Sequence, residues 1–274
     1  MGHNAGSART ADGIVHVERV DGVLRLTIDR PAQRNSLSHR MIATLVDALT
    51  GASADDTLRA VHLRGAQTDF CAGADWVATN SPDGQRPRTG HLARRIPHTA
   101  NRVVELLMSI HLPVVCTVRG WAVGLGCNLA LAADFTVAAR GAVFWEPFVE
   151  RGFSPDSGAT WLLPRLAGVA RARRMLLLGE KVSGELAADW GLIHQAAADA
   201  EVDAAAEDLL ARLAAGPTVA IGLAKQALAT SAQTTLGQAM TTELQHLEIS
   251  CRTTDFKEGL NAFRERRTPD FGGR

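Results

Sequence analysis

Apolar and polar residues alternate at the start of the chain around a two-residue turn. "IVHVERVDGVLRLTIDRP" reads as two strands about Asp21-Gly22, a strong hairpin signal because both residues tolerate positive φ. The apolar positions Val23, Leu26 and Ile28 fit a single sheet face only loosely. In "SHRMIATLVDALTGA" the spacing changes to four residues. Met41, Leu45 and Leu49 there predict a helix with Ser38 as its N-cap and Gly51 as its stop. "LRAVHLRG" predicts a short buried strand and "TANRVVELLMSIH" a helix, after which Pro113 begins the strand "PVVCTVRG". A glycine-rich turn and a helix from about 126 to 133 follow, then the strands "DFTVAA" and "AVFW". Residues 79–98, "TNSPDGQRPRTGHLARRIPH", are polar, basic and rich in Pro and Gly, and read as a loop. Strands alternate with helices up to about residue 157, which predicts right-handed crossovers and a sheet covered on its faces. Beyond that point the segments are mostly helical. In "AMTTELQHLEIS", Met240, Leu244 and Leu247 form an apolar stripe. The pattern is an α/β body followed by a helical C-terminal region.

The chain has 274 residues, enough to bury a core without disulfide or metal staples. Its formal net charge is zero, so neither a nucleic-acid nor a membrane partner is expected. Lys181, Lys225 and Lys257 are the only lysines, and the remaining positive charge is arginine, a bias of composition rather than of function. No apolar run reaches about 18 residues, so no membrane span is expected. The opening "MGHNAGSARTADG" lacks an apolar signal core, and residues 1–13 read as a frayed tail. Cys71, Cys116, Cys127 and Cys251 have neither metal-ligand nor redox spacing. Reduced core thiols in a cytoplasmic protein are expected, with no metal site.

Two turns carry the candidate chemistry. "DFCAGADW" ends a strand in Ala-Gly-Ala, whose small side chains let the backbone approach another molecule. "RGWAVGLGCNLALAADF" places Gly124 and Gly126 at a helix start, where the first N–H groups have no intrahelical acceptor and the helix dipole is positive. Each turn by itself serves close packing equally well. Together they suggest an oxyanion hole, two amides binding one oxygen whose charge grows as a carbonyl compound becomes an enolate. That chemistry needs no metal. No G-x-S-x-G elbow is present, which disfavours a Ser-His-Asp hydrolase.

The segments "DRPAQRNSLS", "FCAGADW", "RGWAVGLGCNLALAADF", "PDSGATWLLPRLAG", "LLGEKVSGELAADWGLI" and "FRERRTPDF" occur in this order. In them the chain resembles the crotonase superfamily, the enoyl-CoA hydratase/isomerase family, over nearly all of residues 14–271. "PDSGATWLLPRL" is most similar to the branch containing 1,2-epoxyphenylacetyl-CoA isomerase and related enoyl-CoA isomerases. The resemblance implies an α/β crotonase (ClpP-like) fold with a β-β-α spiral core over residues 14–200 and a helical trimerisation region over 201–274. It also implies a homotrimer or a dimer of trimers. Its substrates would be acyl-CoA thioesters, with CoA part of the substrate and no separate cofactor. By motif position the hole's donors would be the N–H groups of Ala74 and Leu125. The Ala72 backbone would border the adenine, Phe263 and Arg266 would reach CoA in a neighbouring subunit, and Arg34 would approach the CoA phosphates.

The chain departs from the family where water is activated. Family hydratases use two glutamates, and the matching positions here are Asn128 and Phe148. Neither exchanges a proton near neutral pH. Asp156, in "PDSG", matches the aspartate base of some isomerase branches. One carboxylate that removes a proton at one carbon and returns it at another suffices for double-bond migration. Apolar neighbours such as Phe148, Phe153 and Trp161 would raise its pKa. The alternative for Asp156 is an N-cap of the helix "SGATWLLPRL". Glu146 and Glu150 are expected to form surface or interface ion pairs, with catalysis the alternative. His98 and His111 are expected to be structural. Trp76 either shapes the acyl pocket or packs in the core. Asn128 either satisfies a backbone group or binds substrate or water through its amide. The expected reaction is enoyl-CoA isomerisation. The alternatives are hydration by a variant arrangement using Glu150 or Asp156, and a CoA-binding protein without catalysis.

Overall fold

The computed structural model describes residues 12–75, 88–231 and 233–274. The strands β1 (Ile14–Val20) and β2 (Val23–Asp29) pair antiparallel across Asp21 and Gly22, whose φ values of 51° and 75° suit a two-residue hairpin turn. β1 is an exposed edge, but β2 is buried on both faces. A strand covered on both sides needs no alternation, which is why Val23, Leu26 and Ile28 fit a single face poorly. β3 (Ala60–Gly65), β4 (Val114–Val118), β6 (Phe135–Ala139) and β9 (Gln195–Ala197) join β2 in that order, each parallel to the last. Strand order in this six-stranded sheet follows chain order, so the chain advances as a spiral.

A second sheet holds β5 (Trp121–Val123), β7 (Val143–Trp145) and β8 (Val182–Ser183). The chain crosses from the large sheet to the small one within a few residues, at β4 to β5 and at β6 to β7. Cys71 makes the same crossing after β3, with its N–H on Trp121 O and its carbonyl on Val123 N. Each passage through both sheets ends in helix, which is the β-β-α unit the resemblance implies.

The helices are α1 (His39–Ala52), α2 (His91–Arg95), α3 (Ala100–Ser109), α4 (Leu125–Leu131), α5 (Ala159–Leu178), α6 (Gly184–Asp189), α7 (Val202–Ala214), α8 (Thr218–Ser231), α9 (Leu236–Ser250) and α10 (Thr254–Glu265). Ser38 caps α1 by accepting from Met41 N, and Met41, Ile42, Leu45 and Leu49 are its buried stripe. The helix runs one residue past Gly51. Residues 79–87 lie outside the described part. From residue 91 the expected loop is instead helical, as α2 and a 3-10 turn at Ile96–His98. Leu92 and Ile96 carry a four-residue apolar spacing that the surrounding Pro, Gly and Arg conceal.

α7 packs on β3, β4, β6 and β9 and buries Val202, Ala206, Leu209 and Leu210. α8 is tied to the body through Lys225, which donates to Asp134 Oδ2 at 2.7 Å and to Leu107 O at 2.8 Å. α9 has no buried residue among those described, so its apolar stripe is uncovered. No described helix is long and apolar enough to cross a membrane.

Between the large sheet and α7 lies His62. Arg25 donates to its Nδ1 at 3.2 Å, which leaves Nε2–H to donate to Thr117 Oγ1 at 2.7 Å. Both nitrogens of the neutral ring are satisfied, and burial lowers its pKa to about 4. The folded value lies below the ordinary 6.5, so His62 supplies its stability in full above that pH and loses it as pH falls towards 4. We expect acidification over this window to cost about 3 kcal/mol from His62 alone. Urea unfolding at a series of pH values should show this loss in the wild type and a flatter profile in His62→Gln.

Candidate active site

The first turn is set by Asn35. Its Oδ1 accepts from Arg30 N at 2.8 Å, and its Nδ2 donates to Ala66 O at 2.9 Å and Asp69 O at 2.6 Å. One buried amide thus pins the segment after β3 to the segment after β2. Leu37 then pairs alongside Gly73–Asp75: Leu37 N donates to Gly73 O at 2.8 Å, and Asp75 N donates to Leu37 O at 3.0 Å. In extended chain the N–H between two such bonds faces the other way. That N–H belongs to Ala74, and it has no protein acceptor among the described residues.

The second turn begins at Gly124, whose φ/ψ of 52° and −119° is closed to residues with a side chain. Its N–H donates to Trp145 O, which anchors it to the small sheet. Leu125 is the first residue of α4, so its N–H has no intrahelical acceptor, and none is found elsewhere among the described residues. The two turns touch. A Cβ on Gly73 would lie 2.7 Å from Val123 O and 3.7 Å from Leu125 N, and a Cβ on Gly126 would lie 2.3 Å from Cys71 O. Gly126 is what allows the first turn of α4 to sit on the backbone of the other segment.

Ala72, Ala74 and Leu125 all line one cavity of about 350 Å³. Its wall continues through Leu92, Ile96 and Ala100 and closes with Phe148, Phe153 and Asp156. Asp156 does not cap α5. The N-cap is Gly158, without a side-chain bond, and Asp156 contributes only its carbonyl, to Ala159 N. Its carboxylate accepts from Ser157 Oγ at 2.8 Å, and burial raises its pKa against that bond. Phe148 and Phe153 stand edge to face at 5.5 Å on the same wall. Trp161 instead stacks with Arg165 at 4.0 Å and is not part of the lining.

Asn128 lies one turn beyond Leu125, is fully buried, and has no partner for Nδ2 or Oδ1 among the described residues. It therefore does not satisfy a backbone group. Glu146 is fully buried and makes no ion pair, contrary to the expectation for it. The reason is register: it follows Phe144 by two residues and shares its burial. Glu150 is exposed, lies against the backbone of Gly179 and is absent from the lining.

The remaining candidates are dispersed. The Ala72 N–H is already given to Arg34 O at 2.9 Å, so Ala72 offers a ligand only its carbonyl. Arg34 lies over the Trp121 ring at 5.5 Å, outside the cavity lining. Phe263 is 84% exposed on α10, Arg266 follows that helix, and neither lines the cavity. Trp76 lies outside the described residues. His98 and His111 are not lining residues, whereas His39 and His91 are. Burial, and then the charge of Arg95, lower the pKa of His39. Scattered histidines carry no spacing signal, so these two were not legible in the sequence. Among the described residues no cluster of His, Cys, Asp or Glu is arranged to hold a metal.

A β-β-α spiral with two unoccupied backbone donors on one largely apolar cavity is a frame suited to binding a carbonyl oxygen. Comparison with known proteins narrows it. The enoyl-CoA hydratase/isomerase family profile matches residues 18–274. 1,2-Epoxyphenylacetyl-CoA isomerase from Escherichia coli (strain K12) is 40% identical over 260 residues, 94% of this chain and 97% of that protein. 2,3-Dehydroadipyl-CoA hydratase from the same organism is 33% identical, covering 94% and 98%. The crystal structure of an enoyl-CoA hydratase from Bacillus anthracis superposes with a TM-score of 0.87 at 30% identity, covering 96% of this chain and all of that one. The chain belongs to the enoyl-CoA hydratase/isomerase family, has the crotonase fold, and is an acyl-CoA enzyme.

The contact at Gly126 can be tested directly. A methyl group there has no room against Cys71 O. Gly126→Ala should lose about 1–3 kcal/mol of stability, the usual range for an overpacked core, and lose turnover by separating the two turns. Thermal denaturation beside an activity assay measures both.

Proposed function

We propose that this protein isomerises an enoyl-CoA through a thioester enolate. The Ala74 and Leu125 N–H groups bind the thioester oxygen. Asp156 takes a proton from one carbon, the C–H electron pair moves into the enolate, and Asp156 returns the proton at another carbon. Each hole donor is worth about 3–4 kcal/mol of barrier lowering in such sites. The observation that carries the reading is Asp156, a part-buried acid on the same wall as Phe148 and Phe153, in a cavity with two free backbone donors. Asp75 also lines the cavity but is held by Arg30 at 2.7 Å. The 1,2-epoxyphenylacetyl-CoA isomerase relative supports an isomerase.

A second reading is hydration, which the hydratase relatives and the unpartnered Asn128 amide favour, since that amide can hold a water. Incubation with 3-enoyl-CoA and 2-enoyl-CoA, followed by mass and ultraviolet absorbance, separates the readings. Isomerisation shifts absorbance at constant mass, hydration adds one water, and a pure CoA binder changes neither. Asp156→Asn should lower turnover by about 10²–10⁴-fold, the usual share of a general acid–base. Full turnover in that variant would remove Asp156 from the mechanism.

We also propose a homotrimer or dimer of trimers in a cytoplasmic setting. The uncovered stripe of Leu236, Met240, Leu244 and Leu247 on α9 supports assembly, and the buried free thiols of Cys71, Cys116 and Cys127 support a reducing compartment. In the assembly Phe263 and Arg266 complete a neighbour's CoA site. Sedimentation should give a mass three or six times that of the chain. Phe263→Ala combined with Arg266→Ala should weaken CoA binding, read by calorimetry, without unfolding the protein.

A further inference from the structure

The cavity wall is apolar along Leu92, Ile96, Phe148 and Phe153, but one stretch of it is basic. His39 and Arg40 open α1, and His91 and Arg95 stand one turn apart on α2. All four line the cavity. His39 links the two elements, since the charges of Arg95 and His91 both act on it. α1 is 14 residues long, has no acid in its first turn, and brings the positive end of its dipole to this stretch. Neither the Arg40 nor the Arg95 guanidinium has a hydrogen-bond or ion-pair partner among the described residues. Two acids also act on His39. Asp75 is taken up by Arg30 at 2.7 Å, and Asp12 makes no ion pair among the described residues. Arg40 and Arg95 against Asp12 leave positive charge in excess. Both arginines are exposed, so this stretch opens to solvent. An alkyl chain laid against them would strip water from the guanidinium groups and return nothing, whereas a carboxylate would pair with them.

We propose that the acyl group of the substrate ends in a carboxylate and that Arg95 selects it, with Arg40 and the start of α1 adding positive potential. The inference rests on the reading of this cavity as the acyl site, with the thioester oxygen at Ala74 and Leu125. The substrate is then the CoA monothioester of an unsaturated dicarboxylic acid. The apolar wall takes the carbon chain, and the planar Arg95 fork takes the carboxylate through two parallel hydrogen bonds. A methyl-ended chain of the same length leaves that guanidinium unpaired, so the choice between them comes from charge rather than from shape.

Saturated acyl-CoAs have no double bond to move or hydrate, so calorimetry of the full chain with them reads this stretch apart from the chemistry. Chains of matched length that end in a carboxylate or a methyl group carry the same CoA, and contacts to CoA cancel in the ratio of their affinities. Over a series of lengths, the carboxylate form that reaches Arg95 should bind about tenfold tighter than its methyl partner, the share of one hydrogen bond to a charged group. That preference should shrink with added salt. Arg95→Glu, a charge reversal at an exposed position, should turn the preference round. No preference at any length in the wild type, or a preference that Arg95→Glu leaves standing, overturns the proposal. Equal weakening of both ligands in that variant overturns it too, because it puts Arg95 on the CoA phosphates. Failure of the isomerase reading appears instead in the enoyl-CoA turnover assay and leaves the binding ratio as measured.

Discussion

The contact between the first turn of α4 and the backbone at Cys71 is the constraint on which the rest depends. Two chain segments about fifty residues apart in sequence approach until no side-chain atom fits between them. That closeness is possible only because Gly73 and Gly126 lack a Cβ, and it puts the ends of two independent turns on one cavity. The hydrogen bonds around it are arranged to leave donors over. Leu37 takes up Gly73 and Asp75 and skips Ala74, and the small sheet takes up Gly124 and stops before Leu125. Glycine weakens the isolated elements here, and the tertiary contact makes it necessary.

The site handles charge by unusual economy. Two backbone N–H groups, Ala74 and the first residue of α4, are left without a protein acceptor among the described residues at the cavity. Of the acids on the cavity wall, Asp156 is part-buried and Asp75 is paired with Arg30. Phe148 and Phe153 make an apolar surface on the wall that holds Asp156. A low-dielectric wall strengthens every dipole aimed across it and moves a carboxyl into a useful range. Relatives named as an isomerase and as a hydratase both match this chain over nearly its whole length. At the two positions where the family's hydratases carry glutamates this chain has a fully buried amide, Asn128, and a phenyl ring on the cavity wall, Phe148.

Outside the site the molecule divides into a body with its own core and an uncovered apolar rim. In the body the buried His62 and Asn35, the part-buried Lys225 and the more exposed Asp134 are bonded. Each ties one layer to the next: sheet to helix, turn to turn, or C-terminal helix to sheet. The rim is the outer face of α9 with Phe263 on α10, apolar and uncovered in a single chain. A body with its own core and an apolar helical flank suits assembly through the flank.

Much of the architecture was legible in the residues themselves. The hairpin at Asp21-Gly22, the Ser38 cap and the stripe of α1 follow from local rules, because turn chemistry and a 3.6-residue period act over a few positions. The two glycine turns were legible as places where backbone is left free, and Asn128 and Phe148 as positions that depart from the two glutamates of family hydratases. The helix α2 and the 3-10 turn after it were hidden, since their apolar spacing is diluted by Pro, Gly and Arg. Glu146 was misread as a surface acid because a carboxylate's burial depends on what lies across the sheet, not on its neighbours in sequence. The same holds for the Ala74 N–H: sequence names a small residue in a turn, but only the pairing with Leu37 decides which amide is left over. Local periodicity is written in one segment at a time, whereas burial and hydrogen-bond satisfaction are properties of two segments meeting, and only the folded chain brings them together.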